Sequence, residues 1–164
     1  ESLSFVGLSE KYLEKSPFDL SGGEKRRVAI AGIMAMKPEV LVLDEPCAGL
    51  DPIGRNTVLD LIVKYREKTG STVIVVSHSM EDISKIATKI LVMNESHLAY
   101  YDTVSNVFSH AGELFSMGLD VPQITQLFLK LKDAGYDVRT DIYTFPEAEN
   151  ELLKLLKRRG NNAL

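Results

Sequence analysis

The sequence has little of several features that would place a chain in a specialised class of protein. Its 164 residues include one cysteine, Cys47, which excludes an internal disulfide framework and fits a reducing compartment. No apolar run approaches the roughly 20 residues of a membrane-spanning helix, and no secretory signal opens the chain. The formal net charge is only −4, so composition does not indicate broad binding to nucleic acid or to membrane surfaces.

What is present is ordinary globular composition, with 45% apolar and 26% charged residues. A chain of this length can form one domain with a sizeable core. It begins at Glu1 without an initiator methionine, and residues 1–15 have the pattern of a helix and loop inside a domain. We therefore expect this beginning to be a cut or processed end.

Short β-branched runs alternate with helical patterns, which predicts an α/β fold with parallel strands. Residues 40–43 and Thr72–Val76 are continuous apolar runs, so we expect two strands that are buried on both faces. Two further strands, residues 89–93 and 97–101, are predicted to form a hairpin around the turn-forming residues 94–96.

Two longer helices are predicted in the same part of the chain. The first covers residues 22–36; Ser21 is a good N-cap for it, and Glu24 completes a capping box. The second covers residues 53–69 and is ended by Gly70. One face of this second helix is apolar: Val58, Leu59, Ile62 and Tyr65.

After Asp102 the pattern is mainly helical, which predicts two domains: residues 1–102 as an α/β core and 103–164 as a small helical appendage. One helix has apolar residues at Ile124, Leu127, Phe128 and Leu131. Another begins near Pro146, with Leu152, Leu155 and Leu156 on its apolar side. Its basic end (Lys154, Lys157, Arg158, Arg159) is either a solvated helix terminus or a binding patch.

The start of the first long helix has the residues of an anion site. Two adjacent glycines, Gly22 and Gly23, let another molecule approach the backbone closely. The first N–H groups of a helix have no intrahelical partner and lie at the positive end of the helix dipole. With the Ser21 hydroxyl they could bind a phosphate. The alternative is a capped helix that follows a glycine turn.

Charged side chains follow both predicted parallel strands, at the edge where α/β sheets bind ligands. Asp44 suits a contact to Mg²⁺, usually through water, and Glu45 suits positioning and polarising an attacking water. His78 lies at the same edge, one strand later, and could hydrogen-bond a terminal phosphate. The alternatives are a polar strand exit and a structural histidine. Residues 48–52 are either a plain turn into the next helix or a contact loop toward a second subunit.

Four segments occur together in an order and spacing that resemble those of ABC ATPases. Residues 20–24 (Leu-Ser-Gly-Gly-Glu) resemble the signature motif, and residues 43–46 (Leu-Asp-Glu-Pro) resemble Walker B. Residues 49–52 (Gly-Leu-Asp-Pro) resemble the D-loop, and Ser77-His78 resembles the switch histidine. The resemblance spans residues 1–102 and implies part of an ABC-type P-loop NTPase core.

The resemblance implies a role for each of these positions. Glu45 and His78 would be catalytic, Asp44 would contact Mg²⁺, and ATP would lie between two paired subunits. The residues implied to contact nucleotide are Ser21, Gly22, Gly23, Glu24 and Asp51. Two positions depart from the common pattern, since glutamine is more usual at Glu24 and threonine at Cys47.

A narrower resemblance covers the tail as well. Residues 25–32 (Lys-Arg-Arg-Val-Ala-Ile-Ala-Gly) and 118–123 (Gly-Leu-Asp-Val-Pro-Gln) are similar to the ATP-binding component of energy-coupling factor importers. These take up cobalt, nickel or vitamins. The resemblance implies a second ATPase subunit, a transmembrane coupling component and a substrate-binding membrane component as partners, no nucleic acid, and the cytoplasmic membrane face as location. The helical appendage would help to pair the ATPases.

No phosphate loop of the form Gly-x-x-x-x-Gly-Lys-Ser/Thr is present. The near miss Gly49–Gly54 continues as Arg55-Asn56 and contains Asp51, which would repel phosphate. In the family, this loop and the glutamine loop lie upstream of residue 1, so we predict that this chain alone is inactive. A DNA-maintenance ABC ATPase and a non-enzymatic dimerisation module are the alternatives to a transport ATPase.

Overall fold

Two units make up the chain, Glu1–His78 and a second that begins at Ser79. The computed structural model describes residues 1–161, with side chains described to residue 157. Helices and strands alternate along the chain and one strand pair is parallel, so the predicted α/β fold class is confirmed. The predicted boundary at residue 102, between a family core and an appendage, stays a prediction.

The first unit is built around a parallel pair of strands. Its α-helices and strands are α1 (Ser2–Phe5), α2 (Gly22–Ala35), β1 (Val40–Asp44), α3 (Pro52–Thr69) and β2 (Thr72–Val76), and two 3₁₀ helices, Glu10–Leu13 and Pro17–Asp19, lie between α1 and α2. Because β1 and β2 are parallel, with Asp44 opposite Val76, both strands end at the same edge of the sheet. The residues that follow the two strands, Glu45 and Ser77, therefore lie next to each other.

The ends of the two long helices lie within one residue of the predicted ones, 22–36 and 53–69. In the capping box of α2, Glu24 N–H donates to Ser21 Oγ at 3.3 Å, and Ser21 N–H donates to Glu24 Oε2 at 2.8 Å. Helix α3 begins with Pro52 and ends at Gly70, which adopts the left-handed conformation at φ +70° and donates its N–H to the Arg66 carbonyl. Such an end favours glycine because a Cβ is strained there.

The prediction that both strands are buried on both faces is wrong. In β1, Leu41 and Leu43 are buried, whereas Val40 and Val42 are 53% and 58% exposed. In β2, Ile74 and Val76 are about half exposed, at 48% and 52%. Side chains of a strand alternate between faces, and α3 contacts β2. One face of the pair thus joins the core, and the other stays open among the described residues.

The second unit contains a hairpin and five helices within its described residues. The elements are α4 (Met80–Ile86), β3 (Lys89–Asn94), β4 (His97–Thr103), α5 (Val104–Ser109), α6 (Ala111–Ser116), α7 (Gln123–Asp133) and α8 (Phe145–Asn161). Strands β3 and β4 pair antiparallel, and Glu95 and Ser96 turn between them at positive φ, as predicted. No helix within residues 1–161 is long and apolar enough to cross a membrane.

Two apolar clusters form the core of this unit. One joins β3 to α5 and α6 around Val107, Phe108 and Leu114. The other joins α7 to α8 around Phe128, Ile142 and Ala148. The prediction that Leu127 and Leu156 lie on the buried sides of their helices is wrong, since these side chains are 45% and 64% exposed.

One polar side chain of α7 and one of α8 are buried instead. Thr125 is fully buried and its hydroxyl donates to the Ile142 carbonyl at 2.6 Å. Glu151 is buried at 7% exposure and accepts from the Arg139 N–H at 3.4 Å and from Lys154 Nζ at 3.4 Å. In the predicted basic end, the side chains of Arg158 and Arg159 lie outside the described residues.

Candidate functional site

The site lies in the first unit, where the two parallel strands end. Asp44 is the last residue of β1, and the next N–H, that of Glu45, donates to the Val76 carbonyl at 2.9 Å. This bond extends the strand pairing by one step and places residue 45 beside the chain that continues to Ser77 and His78. The predicted grouping of Asp44, Glu45 and His78 at one edge is therefore observed.

Glu45 and His78 are in direct contact. Glu45 Oε1 accepts from the His78 backbone N–H at 2.9 Å and lies 2.7 Å from His78 Nδ1. Ser77 Oγ lies 3.5 Å from the other carboxylate oxygen. The carboxylate is one-third exposed and the imidazole 87% exposed, so both groups remain accessible to a ligand.

These contacts lower the pKa of the Glu45 carboxyl below its ordinary value. The hydrogen bond from the His78 ring is the largest cause, followed by partial burial, which opposes it, and then by the His78 backbone N–H. Hydrogen bonds to the charged form of an acid favour that form. Glu45 is therefore ionised at neutral pH and able to polarise a water molecule.

We expect the Glu45–His78 contact to weaken only in acid. Because the folded-state pKa of Glu45 is lowered, its ionised form stabilises the fold at pH values above the unfolded-state pKa. That contribution is lost as the pH falls through the lower folded-state pKa. A ¹³C NMR titration of the Glu45 carboxyl should show a midpoint below the ordinary value of about 4.3.

His78→Ala is the matched variant for this titration, since it removes the ring that lies 2.7 Å from Glu45 Oε1. We expect the midpoint to rise in this variant. An unchanged midpoint would contradict the contact.

Asp44 is exposed at the end of β1 and is free to reach solvent. Within the part of the chain that the structure describes, no group of three or more histidine, cysteine or acidic side chains could hold a metal ion. Mg²⁺ usually keeps several waters and binds through one or two carboxylates together with substrate phosphates. One exposed carboxylate fits a single such contact, so Asp44 alone cannot supply a complete protein site.

The start of α2 is open. Ser21 and Gly22 are exposed and Gly23 is partly exposed, and a Cβ placed on Gly22 would meet no atom within 4 Å. A Cβ on Gly23 would lie 4.0 Å from Leu50 Cδ2, so the helix start is next to the turn that precedes α3. An anion can therefore approach this backbone.

Glu24 is engaged inside the cap of α2. Besides the Ser21 N–H, its carboxylate accepts from the Tyr12 hydroxyl at 2.5 Å. The Tyr12 bond is the largest cause that lowers the pKa of Glu24 to about 2, followed by the bonds from Ser21. Its predicted contact with nucleotide stays a prediction, because both carboxylate oxygens already have partners in this chain.

Asp51 has a similar local role. It is the N-cap of α3 and accepts from the Gly54 N–H at 2.9 Å. A Cβ on Gly54 would lie 2.7 Å from the Asp51 carboxylate, which explains glycine at this position. Asp51 is exposed, so a further contact to a paired subunit is sterically open and stays a prediction.

A family profile, individual related proteins and solved structures all indicate the same family. A family profile described as ABC transporter matches residues 1–48. An energy-coupling factor transporter ATP-binding protein, EcfA2, of Clostridioides difficile is 50% identical over 97% of the chain, and the EcfA2 of Clostridium tetani is 48% identical over 98%. The chain belongs to the ABC transporter family of ATPases.

Solved structures agree with this assignment. The chain resembles cbiO1 from Clostridium perfringens, described as part of the ABC transporter complex cbiONQ, with a TM-score of 0.61 and 34% identity. That match covers 77% of this chain and 50% of cbiO1. The dimeric cassette MJ0796 matches with a TM-score of 0.56 and 28% identity, over 63% of this chain and 44% of the cassette.

The chain spans 56% of the length of both EcfA2 relatives. The four segments that resemble the signature motif, Walker B, the D-loop and the switch histidine all lie in the first unit, Glu1–His78. The activity and partners of the whole ABC protein are therefore inferred from a part of it.

Three residues near the ABC motifs were not predicted as functional. Tyr12 donates to Glu24, and Lys15 Nζ lies 4.3 Å from the centroid of the Tyr12 ring. Arg26 donates from Nη2 to the Glu45 carbonyl at 2.7 Å. Their residue types have no distinctive spacing, and only the basic run 25–27 next to the signature motif could have drawn attention to Arg26.

Proposed function

We propose that this chain is part of the ATP-binding subunit of an energy-coupling factor importer, and that this subunit hydrolyses ATP. The observation that carries the proposal is the Glu45–His78 contact at the end of the parallel strands. It places an ionised, accessible carboxylate beside a hydrogen-bonding imidazole.

The chemistry assigned to the site follows from these groups. Glu45 orients a water molecule and polarises it for attack on the terminal phosphate, as a general base within hydrogen-bond reach of the reacting proton does. His78 holds the Glu45 carboxylate and presents its exposed ring to the phosphate. Mg²⁺ bound with the nucleotide would neutralise developing phosphate charge, with Asp44 as its contact in this chain.

The start of α2 acts on a different nucleotide. The open backbone at Ser21, Gly22 and Gly23 suits a phosphate approached from outside the chain, because helix N-termini bind anions through free N–H groups. We assign this surface, with Asp51 beside it, to the ATP held by a paired ABC subunit. A dimer in which each subunit contributes to both nucleotide sites follows from this assignment.

Transport is favoured over DNA maintenance. Both EcfA2 relatives are named as ATP-binding proteins of a transporter, and cbiO1 is described as part of an ABC transporter complex. We propose a second ATPase subunit and the transmembrane and substrate-binding membrane components as partners, with cobalt, nickel or a vitamin as cargo. The protein would then work at the cytoplasmic face of the membrane.

The test compares this chain with a chimera in which the preceding residues of the Clostridioides difficile relative are joined to Glu1. We expect ATP hydrolysis, measured as phosphate release with a paired subunit present, from the chimera and none from this chain alone. The reason is that the sequence contains no lysine-bearing phosphate loop to hold ATP.

Two results would contradict these expectations. One is turnover by this chain alone that Glu45→Gln abolishes, which would contradict the expected inactivity of the isolated chain. The other is a folded chimera that binds ATP without hydrolysing it.

A further inference from the structure

We propose that Arg26 is a positioning residue that holds the backbone of Glu45, and with it the carboxylate that meets His78. Its assignment to catalysis rests on the proposed function above. The structural link between α2 and Glu45 is independent of the proposed function, because it is a hydrogen bond seen in the fold. Arg26 lies outside the four ABC motifs, in the segment 25–32 that follows the signature motif, and its contact runs between two segments 19 residues apart.

The backbone of Glu45 needs external support. Its φ is +44°, a region that residues other than glycine rarely adopt. Pro46 follows it, and a residue before proline is normally held in the extended region. Such conformations persist only where the surrounding structure maintains them, and they cluster at functional sites.

Hydrogen bonds to both sides of the residue supply that support. The Glu45 N–H donates to the Val76 carbonyl at 2.9 Å, and the Glu45 carbonyl accepts from the Ala48 N–H at 3.1 Å. Both of these are main-chain bonds that many sequences could make. The third, from Arg26 Nη2 at 2.7 Å, depends on one side chain.

The Arg26 bond is suited to hold a fixed geometry. It is partly buried and short, and a charged donor makes a hydrogen bond roughly twice as strong as a neutral one. The guanidinium is planar and presents its donors in a rigid arrangement, whereas a lysine ammonium is a flexible point charge. Arg26 can therefore restrict both the position and the rotation of the Glu45 carbonyl.

The carbonyl and the carboxylate of Glu45 move together. If the backbone leaves φ +44°, the side chain takes a new direction and loses the paired contacts at 2.9 and 2.7 Å to His78. Arg26 lies in α2, four residues after Gly22, which is about one helical turn. The same rigid helix therefore carries the open anion-binding start and the anchor of the carboxylate.

The first experiment uses the full chain and needs no nucleotide. Hydrogen exchange of the His78 amide, whose N–H donates to Glu45 Oε1 at 2.9 Å, is measured in the unchanged chain, in Arg26→Gln, in Arg26→Lys and in Lys25→Gln. Lys25 is exposed on the same helix, so its variant removes one positive charge without removing the bond to Glu45.

We expect exchange of the His78 amide to become faster in Arg26→Gln, to become faster by less in Arg26→Lys, and to stay unchanged in Lys25→Gln, because loss of the Arg26 bond lets the Glu45 carboxylate leave this N–H. Equal changes in Arg26→Gln and Lys25→Gln would mean that charge alone matters and would overturn the proposal. An unchanged exchange rate in a folded Arg26→Gln would overturn it as well. If Arg26→Gln does not fold, Arg26→Lys decides on the same criterion, because it keeps the charge and the helix.

The second experiment measures the active chimera. We expect Arg26→Gln to lower kcat about 10- to 100-fold with little change in KM, since a misplacement of about 1 Å costs on that order, and Arg26→Lys to restore part of the loss. An unchanged kcat beside faster exchange of the His78 amide would overturn the catalytic assignment of Arg26. A chimera whose turnover is insensitive to Glu45→Gln would instead refute the proposed function and leave the exchange result standing.

Discussion

Glu45→Gln is expected to lower ATP turnover of the active chimera by about 10²- to 10⁴-fold, the usual contribution of a general base, while nucleotide binding is retained. Glutamine has nearly the same shape as glutamate but carries no charge and cannot accept the proton of the attacking water. In the wild type the carboxylate is ionised, because hydrogen bonds from His78 lower its pKa. The substitution removes that charge without emptying the site.

Two measurements separate catalysis from binding in this variant. Turnover is followed as phosphate release, and binding is followed with ATP under single-turnover conditions. Glu67→Gln is the matched control, since Glu67 is exposed on α3 and lies outside the proposed site. If Glu45→Gln turns over ATP at the rate of this control, Glu45 is not the base.

Phe128→Ala is expected to destabilise the second unit by about 3–5 kcal/mol, the usual cost of removing a buried phenylalanine. Phe128 has 0% exposure and packs with Val138, Ile142 and Ala148. The cavity left by the ring would lie between α7 and α8. Because a domain is typically stable by about 5–15 kcal/mol, this single change should remove a large share of the stability.

Hydrogen exchange at the amides of α7 and α8 measures this effect, because it reports local opening without assuming that both units unfold together. Phe145→Ala is the matched control: the same ring is removed from a side chain that is 78% exposed. We expect a change within about 0.5 kcal/mol there, as for other surface substitutions. Equal losses in the two variants would show that the α7–α8 cluster is not a core.

The open face of the β1–β2 pair shows where pattern and packing diverge. The runs at 40–43 and Thr72–Val76 are apolar throughout, which predicts burial on both sides. In the described residues only one side of β1 is covered. A continuous apolar run indicates that both faces can be buried, but covering the second face requires residues from elsewhere in a fold.

The helical tail shows a related limit. Phe128 lies in the predicted apolar stripe and is buried, but Leu127 of the same stripe is 45% exposed. Thr125 is buried instead because its hydroxyl reaches the Ile142 carbonyl. A helical period in the sequence predicts a broad apolar face of the helix. How much of that face is buried depends on the segment that packs against it.

By itself, the sequence determined the local features of this protein. The cap at Ser21, the helix end at Gly70, the hairpin turn and the family motifs all depend on residues close together in the chain. The shared edge of Asp44, Glu45 and His78 also followed from parallel strand order.

Only the tertiary structure decided which groups meet across longer separations. Glu45 and His78 are 33 residues apart, and Arg26 and Tyr12 reach their partners across 19 and 12 residues. The direction of a side chain and a backbone angle such as that of Glu45 depend on packing between distant segments. For that reason the sequence predicts Glu45 and His78 at one edge of the sheet, whereas the bond from Arg26 to the Glu45 carbonyl is visible only in the fold.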